Sequence, residues 1–329
     1  MSNSKTIKMG VIGAGYLGEF HIQQLQTLDN VEVVGFYDTD LERSNIISDK
    51  YHVKYFNNIE ELSGQSNGIV IATPTFTHHT IAIKVLNNNC HVFIEKPITQ
   101  TIAEVDELIN LAKKNKLFIQ VGHIERFNPA FLALTKKEIN PQFIEVHRLA
   151  SFKSRGNDTS VILDLMIHDI DIILNIIKSD IQDIQANGVK VITNDIDIAN
   201  ARITFENGCI ANLTSSRISL KEMRKMRIFQ ENSYINIDFL NKILEEYSLT
   251  NKNKKNTTNN IQVFPYDDEK NQFILYKKDD NSNHNALQEE LKYFVDSIIK
   301  NQAPMISGEV GREALSIALN IQEKINGKQ

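Results

Sequence analysis

The feature that most constrains this chain is a short glycine-spaced turn near its start. The apolar run Ile7–Ile12 leads directly into Gly13-Ala14-Gly15-Tyr16-Leu17-Gly18, and a segment of helical period, residues 16–28, follows. In a GxGxxG between strand and helix, the first glycine permits a tight turn and the second lets backbone approach a pyrophosphate. The third lets the helix pack closely on the strand. The helix start then offers unpaired N–H groups and a positive dipole end to phosphate oxygens. A second strand-like run, Val31–Tyr37, ends on Asp38, at the spacing of about 20 residues where a carboxylate accepts from the adenosine ribose hydroxyls. The stretch Gly13, Gly15, Tyr16, Leu17, Gly18 and Asp38 therefore reads as a nicotinamide dinucleotide site. A carboxylate at that place repels a 2′-phosphate, which favours NAD over NADP, with Arg43 nearby as the contrary signal.

The strand–helix rhythm continues through the first 122 residues. Residues 69–72, 91–94 and 118–121 read as buried strands, with helices over 78–87 and 101–114 between them. Such alternation gives a doubly wound, parallel α/β sheet. After Gly122 the pattern changes. A helix near 130–137, the strand Phe143–Leu149 and a very apolar helix over 161–177 precede strand-like runs at 184–192, 199–205, 209–215, 227–230 and 234–238. Strands in series imply a largely antiparallel sheet, so the expected organisation is a dinucleotide domain over 1–122 and an α+β substrate domain over 123–329. The polar run 251–260 reads as a hairpin tip or mobile loop. Two helices, about Ala286–Lys300 and 308–324, close the chain.

Composition sets the class and excludes several partners. The 329 residues are 41% hydrophobic and 23% charged, ordinary for a globular protein, and the net charge of −5 leaves no basic footprint for nucleic acid or an anionic membrane. No uncharged apolar run approaches the ~18 residues that span a bilayer. Two cysteines, Cys90 and Cys209, are too few for a disulfide framework and sit in no metal-ligating cluster. A cytoplasmic protein without a metal site is expected.

Two regions carry candidate acid–base chemistry. Glu95-Lys96-Pro97 ends a strand, which points Lys96 toward the ligand side of a doubly wound sheet, where an ammonium can polarise a hydroxyl. On the apolar helix over 161–177, Asp164, His168, Asp171 and Asn175 fall at i, i+4, i+7 and i+11 and share one face. His168 can accept a hydroxyl proton near neutral pH, with Asp164 one turn away to stabilise the charge. A buried structural network is the competing reading of the same stripe, and Asp169, off the stripe, reads as structural. Ser160 or Thr159 can cap the helix start. Thr73, Pro74 and His78 follow another strand end; His78 either touches the cofactor or begins a helix. In GHIERFNPA, which holds His123, Glu125, Arg126 and Asn128, hinge packing and ligand binding are equally open readings.

The motifs GVIGAGYLG, IATPTFTHH, IEKP and DLMIHDID, in this order, resemble those of the Gfo/Idh/MocA oxidoreductases over essentially the whole chain. The resemblance implies a Rossmann domain and a C-terminal domain whose open sheet carries the substrate and a homodimer or homotetramer interface. It places the catalytic lysine on Lys96, the Asp-x-x-x-His pair on Asp164 and His168, and cofactor positions on Gly13, Gly15, Asp38, Thr73, Pro74, His78 and Glu95. Many members have glycine two residues after the aspartate, where this chain has Met166. GHIERFNPA and DLMIHDID look most like the nucleotide-sugar branch, which implies oxidation of a UDP-N-acetylhexosamine at its 3-hydroxyl. A diphosphate needs cationic donors, and Arg126, Arg148 and Arg155 are candidates, with Asn128 and Asp171 as further substrate positions. The alternatives are a dehydrogenase of a free sugar or polyol, an NAD-dependent glycoside hydrolase, and a non-catalytic NAD-binding sensor.

Overall fold

The computed structural model describes residues 6–152, 159–251, 260–267, 269–280 and 284–327. The chain divides into two units, Met1–Ile124 with Asn285–Ser316, and Glu125–His284 with Ile317–Gln329.

In the first unit, β1 (Ile7–Ile12), α1 (Tyr16–Leu25), β2 (Val31–Tyr37), α2 (Leu41–Tyr51), α3 (Ile59–Gly64), β3 (Gly68–Ile71), α4 (Thr75–Asn87), β4 (His91–Glu95), α5 (Ile102–Asn115) and β5 (Ile119–Gly122) follow one another. The strands form a sheet of order β2-β1-β3-β4-β5, and every pairing is parallel. The continuous Val/Ile character of β3 and β4 follows from burial on both faces: all four residues of β3 are buried. Local signals set the helix ends. Thr101 and Glu104 form a capping box at the start of α5, with Glu104 N–H donating to Thr101 Oγ1 at 3.3 Å and Thr101 N–H to Glu104 Oε2 at 2.9 Å. Asp40 caps α2 by accepting from Arg43 N–H at 3.0 Å. Neither α2 nor α3 is among the sequence-predicted helices.

The second unit begins within a 3₁₀ turn, Ile124–Phe127. It continues through α6 (Pro129–Leu134), β6 (Phe143–Leu149), a π turn over Ile162–Met166, and α7 (Ile167–Ile176). Then come β7 (Ile181–Val189), β8 (Ile198–Phe205), β9 (Ile210–Ser216), β10 (Met223–Gln230), β11 (Ser233–Asp238), β12 (Ile243–Thr250), β13 (Ile261–Asp267) and β14 (Gln272–Asp280). These strands form one sheet of order β13-β14-β12-β11-β10-β6-β9-β8-β7, antiparallel except for the β6–β9 pairing. Burial alternates along β6, with Ile144, Val146 and Arg148 inward, as expected when one face is packed and the other open. Directly opposed aromatic residues cross the open face in a row, Phe143–Phe229–Tyr234–Tyr247–Tyr276, with ring centroids 4.9–5.7 Å apart. Of the predicted loop 251–260, residues 252–259 lie outside the described residues.

The sequence division after residue 122 lies two residues from the first break, but the C-terminal helices need correction. Helix α8 (Ala286–Lys300) and the start of α9 (Gly308–Asn326) belong to the first unit, not the second. The cause is the apolar face of α8: Leu291, Phe294 and Val295 are fully buried in one cluster with Met9, Leu25 and Phe93. Phe294 meets Phe93 edge-on at 5.9 Å between ring centroids. A second correction concerns the apolar helix. It is not α-helical throughout, because residues 162–166 take the wider π form before α7 begins.

Candidate active site

The first-unit site grows from the turn after β1. Gly13 has φ of +90°, a backbone conformation that disfavours side chains, and a Cβ there would lie 2.7 Å from the Ala72 carbonyl oxygen. A Cβ on Gly18 would collide with the Gly13 carbonyl oxygen, whereas one on Gly15 would meet no atom within 4 Å. Gly13 and Gly18 thus answer to packing inside the protein, and Gly15 faces open space at the start of α1. That is the cradle a pyrophosphate needs, since α1 begins with no side-chain cap on its N–H groups. Asp38, just past β2, accepts from the Ala14 N–H through Oδ2 and from the Asp40 N–H through Oδ1 at 2.8 Å. A cleft of about 300 Å³ opens here, lined by Gly13, Gly15, Asp38, Thr73, Pro74 and Thr77 among others. It lies beyond the carboxyl ends of β1 and β3, where the sheet order reverses. A hollow of about 380 Å³ sits instead at the amino end of β5, lined by residues such as Leu117 and Phe118, and lacks that geometry. Tyr16 and Leu17 are exposed at the head of α1. The donor set, the open cradle and the carboxylate of Asp38 lining the cleft fit NAD.

His78 requires a correction. Its ring is 1% exposed, with Nε2 2.8 Å from the Thr73 carbonyl and Nδ1 3.0 Å from that of Pro97, so it does not line the cleft. It ties the loop after β3 to the loop after β4. Burial pushes its pKa below the usual imidazole value, against the two carbonyl contacts.

Glu95 and Lys96 end β4, and Lys96 is half-buried. Glu95 Oε1 lies 2.7 Å from His21 Nε2, on the buried face of α1, and Glu95 Oε2 accepts from the Lys96 N–H at 3.3 Å. Burial raises the Glu95 pKa, but the hydrogen bond and charge of His21, with the charge of Lys96, outweigh it and hold the carboxyl below its ordinary value. His21 is absent from the sequence-predicted residues. The signal for it is a histidine in phase with Gly18, Ile22 and Leu25, the other buried positions of α1.

The second unit holds the acid–base candidates and a set of buried ion pairs. Asp164 lies in the π turn and His168 in the first turn of α7, and both are partly exposed. A π turn inside a helix is a frequent mark of a functional segment. Its start is fastened from two sides: Arg217 Nη2 donates to the Thr159 carbonyl, and Ser160 Oγ donates to Gln322 Oε1 at 2.7 Å while accepting from the Leu163 N–H at 3.4 Å. Met166, in the place of the family's glycine, is fully buried in this turn.

Arg126, Asn128 and Asp171, the expected substrate positions, are buried and committed to partners within the protein. Arg126 grips Asp171 with Nε and Nη2 at 2.6 and 2.8 Å and also donates to the Asp171 carbonyl at 3.3 Å; the side chains are 4% and 1% exposed. Asn128 caps α6 and donates to Glu125 Oε2 and the Phe239 carbonyl at 3.1 and 2.9 Å. Arg148 is equally committed, bidentate to Asp169 at 2.8 Å and to Glu125 at 2.9 Å. Burial opposes its charge, but the two carboxylates outweigh burial and keep it protonated. Arg155 lies outside the described residues. Among the described residues, no group of three or more His, Cys, Asp or Glu is placed to hold a metal ion, and no helix is long and apolar enough to cross a membrane.

Comparison with known proteins agrees with this geometry. Residues 7–123 match the family model described as an oxidoreductase family with an NAD-binding Rossmann fold, and residues 140–235 match the Gfo/Idh/MocA C-terminal domain. The chain is 32% identical to UDP-N-acetylglucosamine 3-dehydrogenase of Acidithiobacillus ferrooxidans, over 96% of both chains. A solved structure of that enzyme superposes with a TM-score of 0.87, covering 98% of each chain. Myo-inositol 2-dehydrogenase of Thermotoga maritima is 22% identical over 98% of this chain and 97% of its own. The chain belongs to the Gfo/Idh/MocA oxidoreductase family and is an NAD-binding dehydrogenase.

Proposed function

We propose that this dehydrogenase oxidises the 3-hydroxyl of a UDP-N-acetylhexosamine. The observation that carries the reading is the full-length match to the Acidithiobacillus enzyme at 32% identity, against 22% for the inositol dehydrogenase. When bound, NAD supplies the hydride acceptor. His168 receives the hydroxyl proton, and Asp164 stabilises the imidazolium that results. Lys96 offers an ammonium that can polarise a hydroxyl, and Glu95, anchored on His21, fixes the end of β4 from which Lys96 projects. The protein's contribution is to orient the substrate and exclude water. The aromatic row on the open face of the nine-stranded sheet supports a second proposal, that copies of the chain associate there into a homodimer or homotetramer. The two cysteines, both free and buried, suit a reducing, cytoplasmic setting.

The test is NADH absorbance with a panel of UDP-N-acetylglucosamine, UDP-N-acetylgalactosamine, glucose 6-phosphate and myo-inositol. Turnover confined to the UDP-sugars supports the reading; equal or greater turnover of myo-inositol replaces it with a polyol dehydrogenase.

A further inference from the structure

Two side chains grip the backbone of the same residue, Ala14, in the cofactor loop. The Ala14 N–H donates to Asp38, and the Ala14 carbonyl accepts from Arg43 Nε. A guanidinium beside the acidic residue that ends the second strand is the usual partner of a 2′-phosphate, because its fork matches phosphate oxygens. Arg43 is turned elsewhere. Its Nη2 donates to Glu19 Oε2 at 2.8 Å, across from α2 to α1. Glu19 is itself fixed, since Lys50 Nζ at 2.8 Å and the Tyr51 hydroxyl at 3.0 Å both donate to its Oε1. Three donors from α2 thus converge on one carboxylate of α1.

We propose that Glu19 is a cofactor-specificity residue, acting by holding Arg43 off the ribose 2′ position while Asp38 repels a 2′-phosphate. The selection for NAD has two parts. Asp38 supplies the repulsive charge, and Glu19 withholds the cation that would otherwise counter it. Removing only one part leaves the other in force, so the two residues are coupled with respect to NADPH and not with respect to NADH. The inference rests on NAD binding and is independent of the substrate.

The experiment is direct binding of NADH and NADPH to the full-length protein, by calorimetry or nucleotide fluorescence, in wild type, D38S, E19A, D38S/E19A and D38S/E19A/R43A. D38S weakens NADH binding and improves NADPH only modestly, and E19A alone still rejects NADPH. The double variant binds NADPH at least about tenfold more tightly than the two single effects multiplied together, the size of one charge-assisted hydrogen-bonded contact. Adding R43A abolishes that gain. Single effects that simply multiply, or a gain that survives R43A, overturn the proposal. D38S/R43A tests it without touching Glu19: NADPH affinity equal to that of D38S supports an Arg43 held away, and a tenfold loss shows that Arg43 already reaches the 2′ position and refutes it.

Discussion

The buried Arg126–Asp171 ion pair is expected to serve structure rather than substrate binding, and the size of its contribution can be measured. Asp171→Asn keeps the volume of the side chain but leaves the Arg126 guanidinium, 4% exposed, with no countercharge. Two hydrogen bonds to a carboxylate, of 2.6 and 2.8 Å, become at best one to a neutral amide oxygen, because the amide nitrogen cannot accept. Breaking a buried pair from one side costs about 3–5 kcal/mol, most of it the desolvation of the orphaned charge. For a unit of this size, each kcal/mol moves Tm by about 2–4 °C, so a fall on the order of 10 °C is expected in a calorimetric scan. The double variant Arg126→Met/Asp171→Leu recovers most of that loss, since an apolar pair of similar volume pays no such desolvation. At a temperature where all variants are folded, KM for the sugar substrate stays within about twofold of wild type, as for any site remote from the ligand. A tenfold or greater rise in KM with Tm unchanged refutes the reasoning and returns Arg126 to the substrate site.

Lys96→Ala lowers kcat by about 10²- to 10⁴-fold, the scale of a general acid–base contribution, while NADH still binds; turnover at the wild-type rate removes Lys96 from the mechanism. Gly15→Val projects into open space, so Tm stays within a few °C by about ±0.5 kcal/mol. The same variant loses NADH binding by a factor on the order of 100, measured by fluorescence titration, because the side chain occupies the pyrophosphate cradle. Glu95 has a folded pKa below its unfolded value, so its contribution to stability is complete above about pH 4.5 and disappears as pH falls through the folded pKa. Urea titrations of wild type and Glu95→Gln therefore differ most near neutral pH and converge in acid; a gap that widens in acid contradicts the His21–Glu95 assignment.

Much of the first unit was legible because its determinants are local. β1 and β2 fall on their predicted residues, and the turn between β1 and α1 follows from glycine chemistry within six residues of sequence. The strands missed in the second unit lack that local signature. β12 reads ILEEYSLT, where Glu245 and Glu246 interrupt the alternation, and β13 contains Pro265 beside a register shift. Glu246 is paired with Lys137, 109 positions earlier, which donates to it at 2.8 Å. The π turn was equally hidden, since an i, i+4 pattern of Asp164 and His168 is the same string whether the first turn is wide or regular.

The polar stripe on residues 164–175 shows why site prediction is harder than strand prediction. Polar groups on a buried helix face need partners, and two kinds of partner satisfy that need: a ligand in a cleft, or an opposite charge from elsewhere in the chain. Helical spacing cannot separate them. The structure does, by giving Asp171 to Arg126 and the neighbouring Asp169 to Arg148, pairs separated by 45 and 21 positions. Both arginines flank the chain's entry into the second unit, Arg126 in the 3₁₀ turn and Arg148 at the end of β6, and both close on α7. The ion pairs therefore fix the helix that carries His168 against the 3₁₀ turn and β6 of its own unit. His168, one turn earlier, and Asp164, in the π turn before it, remain partly exposed where Asp171 is buried. The stripe is thus divided along its length: its later part anchors the helix, and the precision of that anchor sets the position of its earlier part, which holds the proposed acid–base pair.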